Sequence, residues 1–538
     1  MKNKFLLGLN LALLIVALVM MQYKPLTDRY YVSDDVRNLF FVNNFEYNIE
    51  NSLLAQYSYG KWINTTIYLS SFYIFINKLV DFIFVTKLMS ILTFLMAVIF
   101  AYKLGKAIKD TALGLILAFL FMLQPWSIQP FSGGLSRSFA FPLVMAFLYY
   151  LIRKDTVKSS TVIVLQAILY PPALLISLLT FGISLIDLKS RKINISLKRN
   201  YIVYISAAVS LSIVLMPMVF VNYGIKEQIS LNEAILSRDF YEGGRLPIFM
   251  GEMPFTSDVS SAVKTLISMY NPGIYDPLHN SPLFMLLLLV LISIAVYRKK
   301  VLALPKEVYL LLVSSFVMQS LAFILLFRLH LPSRYIRYTL PVFLLIVLAY
   351  GLYMLYTSRR ARYLFFASIF LLSVFYIPKI DDRVIRCGDE KLYGYMQTLP
   401  KESLIAGFPN EMNCLSLYGQ KQPFITSELS YKYHIDYYSE VSRRTLDFFS
   451  AYYSNNKQTV QEFCSDNGVT HIVVNKEHFD ANFLNKKMMY YKPFNTHIKN
   501  ITQNRKDFYL QKPDDVLFES GNKMVISCGA LVSDKNKS

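Results

Sequence analysis

Two adjacent carboxylates and an arginine, Asp34, Asp35 and Arg37, lie in the segment Tyr30-Tyr31-Val32-Ser33-Asp34-Asp35-Val36-Arg37, shortly after an apolar stretch over 5–22. Ionisable groups held at a membrane face are costly to desolvate, so they are candidates for function. A carboxylate there can take a proton from an acceptor hydroxyl or amine, and the pair can hold a divalent cation such as Mg or Mn. Two carboxylates side by side repel, which raises one pKa or recruits a cation or an arginine, and Arg37 is the nearest. A helix cap or a solvated turn is the plain alternative for an Asp-Asp pair in a loop.

Arginines recur in the other polar loops. Arg137 stands beside Gly133-Gly134, Arg238 and Arg245 share a second segment, and His330, Arg334 and Arg337 share a third. Guanidinium groups suit bidentate phosphate binding, and glycines beside them let a ligand approach closely. Arg37, Arg137, Arg245, His330, Arg334 and Arg337 are the candidate phosphate-binding set, with Arg334 and Arg337 three apart on one helical face. Anchoring in lipid headgroups is the competing role, strongest for Arg328.

The elements that position these groups follow from composition. The chain has 538 residues, 54% of them hydrophobic and only 17% charged, with a net charge of +19. Soluble domains carry about a quarter charged residues, so the depletion points to a membrane protein. The Lys and Arg residues cluster between apolar runs, as the positive-inside rule produces, and no nucleic-acid module accompanies them. No nucleic-acid partner is expected.

A spanning helix needs about 20 apolar residues. Spans are expected at 5–22, 82–102, 111–125, 138–152, two short helices within 160–187, 201–221, 282–297, 307–327, 338–357 and 363–378, about eleven crossings in all. The first is a retained signal anchor with its N-terminus inside. Tyr170-Pro171-Pro172 breaks 160–187 into a hairpin, because proline lacks a donor. Long outer loops cover 23–80 and 222–280, and Trp62–Val80 reads as an interfacial helix on its Tyr and Trp content. This topology leaves the strongest basic clusters inside and the C-terminus outside.

From about 380 the chain is ordinary soluble sequence. Short strands near 403–407, 423–426 and 468–474 alternate with helices over 439–453 and 459–467, which suggests a small α/β domain over 380–538 beside a membrane domain over 1–379. All four cysteines, Cys387, Cys414, Cys464 and Cys528, fall there. They fit one or two disulfides in an oxidising compartment or four separate buried thiols.

The pattern of an acidic first outer loop, an interfacial helix, arginine-bearing outer loops such as Leu331-Pro332-Ser333-Arg334-Tyr335, and a C-terminal outer domain resembles the GT-C superfamily of polytopic glycosyltransferases. That superfamily includes oligosaccharyltransferase catalytic subunits, protein O-mannosyltransferases and lipid A aminoarabinose transferases. The resemblance implies a plasma-membrane enzyme that moves a sugar from a polyprenyl-phosphate donor to a glycan, lipid or protein acceptor at the outer face. It also implies that Asp34 or Asp35 is the base or metal ligand, and that Arg334 and Arg337 hold the carrier phosphate. Two other classes use some of the same features. A flippase for a lipid-linked saccharide needs the arginines but no base, and a non-catalytic subunit of cell-surface polysaccharide assembly needs neither.

Overall fold

A computed structural model describes residues 2–42, 53–124, 129–184, 186–187, 192–193, 197–220, 228–249, 304–380 without 327 and 330, and 384–529 without 504, 506 and 514. The expected span at 282–297, most of the 222–280 loop, His330 and the Asp34 side chain lie outside the described residues. The chain divides into two compact units. The first comprises 1–36, 63–221 and 270–386, and the second 37–62, 222–269 and 387–538. Parts of both long loops therefore belong with the C-terminal sequence.

The first unit is helical. Each expected crossing other than 282–297 falls on one of its helices: Lys2–Thr27, Phe82–Ile108, Thr111–Leu123, Ala140–Ile152, Thr156–Leu169, Pro171–Ser184, Leu197–Phe220, Lys306–Ile324, Thr339–Thr357 and Arg362–Tyr376. Among the described residues five helices are long and apolar enough to cross a membrane: Lys4–Thr27, Phe82–Ile108, Lys306–Ile324, Pro332–Thr357 and Arg362–Lys379. Thr156–Leu169 and Pro171–Ser184 are separate helices broken at Tyr170, with Pro171 opening the second where its missing N–H costs nothing. The helix expected at Trp62–Val80 begins earlier, at Leu53, and ends at Ile76.

The Phe82–Ile108 helix shows why this unit needs lipid around it. Phe84, Leu88, Leu92, Met96 and Ile99 form an exposed apolar stripe at helical spacing, while Thr86, Lys87, Ser90 and Thr93 are buried on the other side. Water would invert that arrangement. Inside, the polar side chains bond to neighbouring helices: Gln22 Nε2 donates to Ser90 Oγ at 2.9 Å, and Asn10 Nδ2 donates to the Leu115 carbonyl at 3.1 Å. The chain is a multi-pass membrane protein. Two small two-stranded pairings complete the unit, the long-range β1 (Tyr31–Val32) with β4 (Ile385–Arg386) and the local β2 (Ile186–Asp187) with β3 (Lys192–Ile193), both antiparallel.

The second unit contains a five-stranded sheet of β5 (Leu404–Gly407), β6 (Gln422–Pro423), β7 (His471–Asn475), β8 (Val516–Ser520) and β9 (Lys523–Ser527), in the order β6-β5-β7-β9-β8. β6, β5 and β7 run parallel, whereas β9 and β8 are antiparallel additions. Pro423 is tolerated because β6 is an edge strand, where a missing donor breaks no ladder. Helices Ile435–Tyr452 and Lys457–Asn467 link β6 to β7, and Asn456 caps the second while Gly468, at φ +63°, ends it.

An aromatic core joins sheet to helices through Phe408, Phe448, Phe449, Tyr452, Phe463 and Phe479. Cys387 pairs with Cys414, and Cys464 with Cys528. The second bridge ties the Lys457–Asn467 helix to the segment after β9. Closing loops of 27 and 64 residues restricts the unfolded chain by about 3.5 and about 4 kcal/mol in the loop-entropy view.

Candidate active site

The site in the first unit begins where the Lys2–Thr27 helix ends. Lys87 reaches the carbonyls of Pro25, Asp28 and Arg29 at 2.5, 3.1 and 3.4 Å, so an ammonium group satisfies acceptors that the helix leaves open. Arg386 Nε donates to Asp28 Oδ2 at 2.8 Å beside the β1–β4 pairing. The chain leaves this anchored corner through Ser33 into the single helical turn Asp34–Arg37.

Against that turn lies the glycine loop. A Cβ at Gly133 would sit 2.3 Å from Ser33 Oγ, and one at Gly134 would sit 2.2 Å from the Thr86 carbonyl. Gly134 also has φ +60°, and its carbonyl accepts from the Tyr73 hydroxyl at 2.8 Å. The glycines are there because the loop presses on Ser33, just before the acidic turn, and on the backbone of the Phe82–Ile108 helix. This close approach brings Arg137, in the short Ser136–Phe139 helix, to Asp35: Nε to Oδ2 is 2.5 Å, with both side chains about one-fifth exposed.

Arg334 stands in the Pro332–Tyr335 turn and donates from Nη1 to the Tyr338 hydroxyl at 3.2 Å. It interacts electrostatically with Arg137, Asp35 and Tyr170 as well. Arg337 acts on the same two phenols, Tyr170 and Tyr338. Tyr338 is buried edge-on between Tyr170, at 5.3 Å, and Phe141, at 5.2 Å. Three guanidinium groups and one described carboxylate thus converge on two buried tyrosines. Among the described groups the guanidiniums outnumber the carboxylate, and such a set can hold an anion of phosphate's shape. Asp35 is the one described group of this set able to accept a proton.

Arg37 and Arg245 take a different place. Both belong to the second unit, and both meet Glu428 Oε2, at 3.3 and 3.4 Å. Arg245 also donates to the Ser427 carbonyl at 2.5 Å and lies over the Tyr431 ring at 4.7 Å. Glu428 is held in turn by Asn413, whose Oδ1 accepts from the Glu428 N–H at 2.9 Å. Nearby, the buried Asp239 accepts from Ser237 Oγ at 3.0 Å, from Lys432 Nζ at 3.3 Å and from the Tyr438 hydroxyl.

Glu428 is the counter-charge of a nearly fully buried Arg37, so Glu428→Ala is expected to destabilise the second unit by about 3 kcal/mol, and Glu428→Gln by less. Thermal unfolding in detergent checks this; a midpoint unchanged in the alanine variant would show that the pair holds nothing.

Of the residues the sequence singled out, the structure brings Asp35, Arg137, Arg334 and Arg337 together. Beside them it places Tyr338 and Tyr170, and beside Arg37 and Arg245 it places Glu428, none of which the sequence singled out for a site. Tyr338 was accessible, four residues beyond Arg334. Glu428 was not, being one carboxylate in a polar loop with partners 391 and 183 residues away. As to a metal, no group of three or more His, Cys, Asp or Glu side chains able to hold one gathers among the described residues. Asp35 Oδ2 is engaged by the Arg137 guanidinium.

No family model matches the sequence, and no curated protein matches it. Solved structures do. The apo oligosaccharyltransferase of Archaeoglobus fulgidus superposes with a TM-score of 0.52 at 9% identity, covering 89% of this chain and 70% of that one. An arabinofuranosyltransferase from Mycobacteria superposes at 0.47 and 12% identity over 98% of this chain and 40% of that one. ArnT from Cupriavidus metallidurans, bound to undecaprenyl phosphate, superposes at 0.39 and 10% identity over 98% of both chains. The first of these carries the comparison, and the chain shares its fold with that oligosaccharyltransferase.

Proposed function

We propose that the chain is an integral membrane glycosyltransferase that moves a sugar from a polyprenyl-phosphate donor to a glycan, lipid or protein acceptor at the outer membrane face. The observation that supports this most is the Asp35–Arg137 ion pair with Arg334 beside it, a base and phosphate-binding groups joined in a GT-C fold. Arg137, Arg334 and Arg337 receive the carrier phosphate, and the Tyr338 hydroxyl braces Arg334. Asp35 takes the proton of the acceptor as its oxygen or nitrogen attacks the anomeric carbon from the face opposite the phosphate. The bond from that carbon to the phosphate oxygen breaks, and the phosphate leaves already ionised, so no acid is needed. Positioning and electrostatic stabilisation supply the rate.

Arg37 and Arg245 are structural in this reading, committed to Glu428, while His330 is kept as a phosphate contact on sequence grounds. The paired cysteines of the second unit favour an oxidising compartment, hence an extracytoplasmic C-terminal domain over 380–538 and a cytoplasmic N-terminus. The test is retention of undecaprenyl phosphate by the purified full chain after detergent exchange, followed by mass spectrometry. Retention in stoichiometric amount is expected; a chain that releases the lipid completely would overturn the reading.

A further inference from the structure

The parallel strands of the second unit are wound so that β5 comes first, β6 lies on one side of it and β7 on the other. The chain thus reverses direction across the sheet between β5 and β7. In open α/β sheets ligands bind outside the carboxyl ends of the strands at such a point, because the two connections leave on opposite faces and open a crevice between them.

A network of polar side chains occupies that place. Glu411 follows β5, while Asn475 ends β7 and His478 follows it. Lys523 opens β9 opposite Asn475 in the register. Asn475 Nδ2 donates to Glu411 Oε1 at 2.6 Å, and His478 Nε2 lies 3.4 Å from the same oxygen. Lys523 Nζ sits 2.7 Å from Asp389 Oδ2 and 3.7 Å from Glu411 Oε2.

The network has a buried back and a partly exposed front. His478 and Asn475 are buried, and the His478 ring lies against Phe408 and Phe483 at 4.3 and 4.4 Å. Burial, with the Lys523 and Lys486 charges adding to it, pushes the His478 imidazole down to about 3, so it is neutral at physiological pH. The Tyr452 hydroxyl accepts from the Asn475 N–H at 3.1 Å and lies 3.1 Å from His478 Nδ1. These groups fix Glu411 from behind. Glu411, Asp389 and Lys523 are each about one-fifth exposed at the front. The Cys387–Cys414 disulfide braces both arms, one half lying just before Asp389 and the other just after Glu411.

The chemistry of the front selects its ligand. Two carboxylates repel a phosphate, a lysine between them repels a metal ion, and charged walls reject an apolar chain. A carboxylate, an ammonium and a second carboxylate in a row match neighbouring hydroxyl groups, which donate to the carboxylates while their oxygens accept from the lysine.

We infer that Asp389, Glu411 and Lys523 form a binding subsite for a neutral saccharide, with His478 and Asn475 as positioning residues. It rests on the proposed glycosyltransferase reading only in that the saccharide is then part of the acceptor.

The test uses the full chain in detergent on an array of neutral and anionic oligosaccharides, followed by titration of the best-retained neutral one. Wild type is expected to retain at least one neutral oligosaccharide. Lys523→Met and Glu411→Gln are each expected to weaken it by about tenfold or more. Asp466→Asn, in the last turn of the Lys457–Asn467 helix, which leads into the start of β7 and so lies at the other end of that strand, is expected to leave it unchanged. Thermal midpoints and intact disulfides show which variants are folded, and either front-face variant alone suffices.

Retention of no neutral oligosaccharide by wild type, retention of anionic ones only, or unchanged binding in both folded variants overturns the subsite. Undecaprenyl phosphate retention by the same wild-type preparation separates the two readings. Lipid without saccharide overturns the subsite alone, and saccharide without lipid overturns the donor reading alone.

Discussion

Asp35→Asn is expected to lower sugar transfer by a factor of about a hundred to ten thousand, the range that a positioned general base contributes. Asparagine keeps the shape of the side chain and its place beside Arg137 but cannot accept the acceptor's proton. The same substitution removes a negative charge 2.5 Å from Arg137, which frees that guanidinium for a phosphate. Lipid retention should therefore hold or tighten while turnover collapses. Rates with a polyprenyl-phosphate sugar, measured beside lipid retention on one preparation, give both quantities. Equal loss of both would make Asp35 a binding group, and unchanged turnover would leave the chain without its base.

Arg334→Ala is expected to cost transfer a factor of about a hundred to a thousand, as removal of one charge-stabilising donor does in other active sites, and to weaken lipid retention with it. Arg334 is the guanidinium in electrostatic reach of both members of the Asp35–Arg137 pair, and its fork is held by Tyr338. Arg334→Lys should recover only part of the loss, because an ammonium supplies the charge without the planar pair of donors. Rates and retention across the three proteins check the order wild type, lysine, alanine. An alanine variant that retains the lipid as well as wild type would move the phosphate site elsewhere in the chain.

How much of this was legible in the sequence varies with the physics of each part. The membrane helices were, because the bilayer imposes a length and an apolar composition that no other environment demands together. The break at Tyr170-Pro171-Pro172 was legible because proline's missing donor acts locally. The end of the Lys457–Asn467 helix at Gly468 was legible for the same kind of reason. β6 was read too long, since Phe424 and Ile425 look like strand residues but are used in the core after a two-residue edge pairing.

The residue types of the site could be read, and their partners could not. Asp35 and Arg137 meet because Gly133 lets one loop touch another, which no spacing rule encodes. Arg37 and Arg245 read as phosphate ligands by charge, and the one Glu428 carboxylate that both meet could not be read from spacing. The His478 network was invisible for a related reason. Its members, Asp389, Glu411, Asn475, His478 and Lys523, stand on separate elements, and the order of strands is what gathers them.

The most direct measurement of sugar transfer uses the full chain reconstituted in sealed vesicles with a polyprenyl-phosphate sugar labelled in the sugar. Extracts of the source envelope serve as acceptor outside. The expected result is label leaving the lipid and appearing on the acceptor, at a rate lowered about a hundredfold or more by Asp35→Asn. Label that crosses the bilayer still joined to its lipid phosphate, at a rate indifferent to Asp35→Asn, would contradict it and make the chain a carrier of lipid-linked sugars.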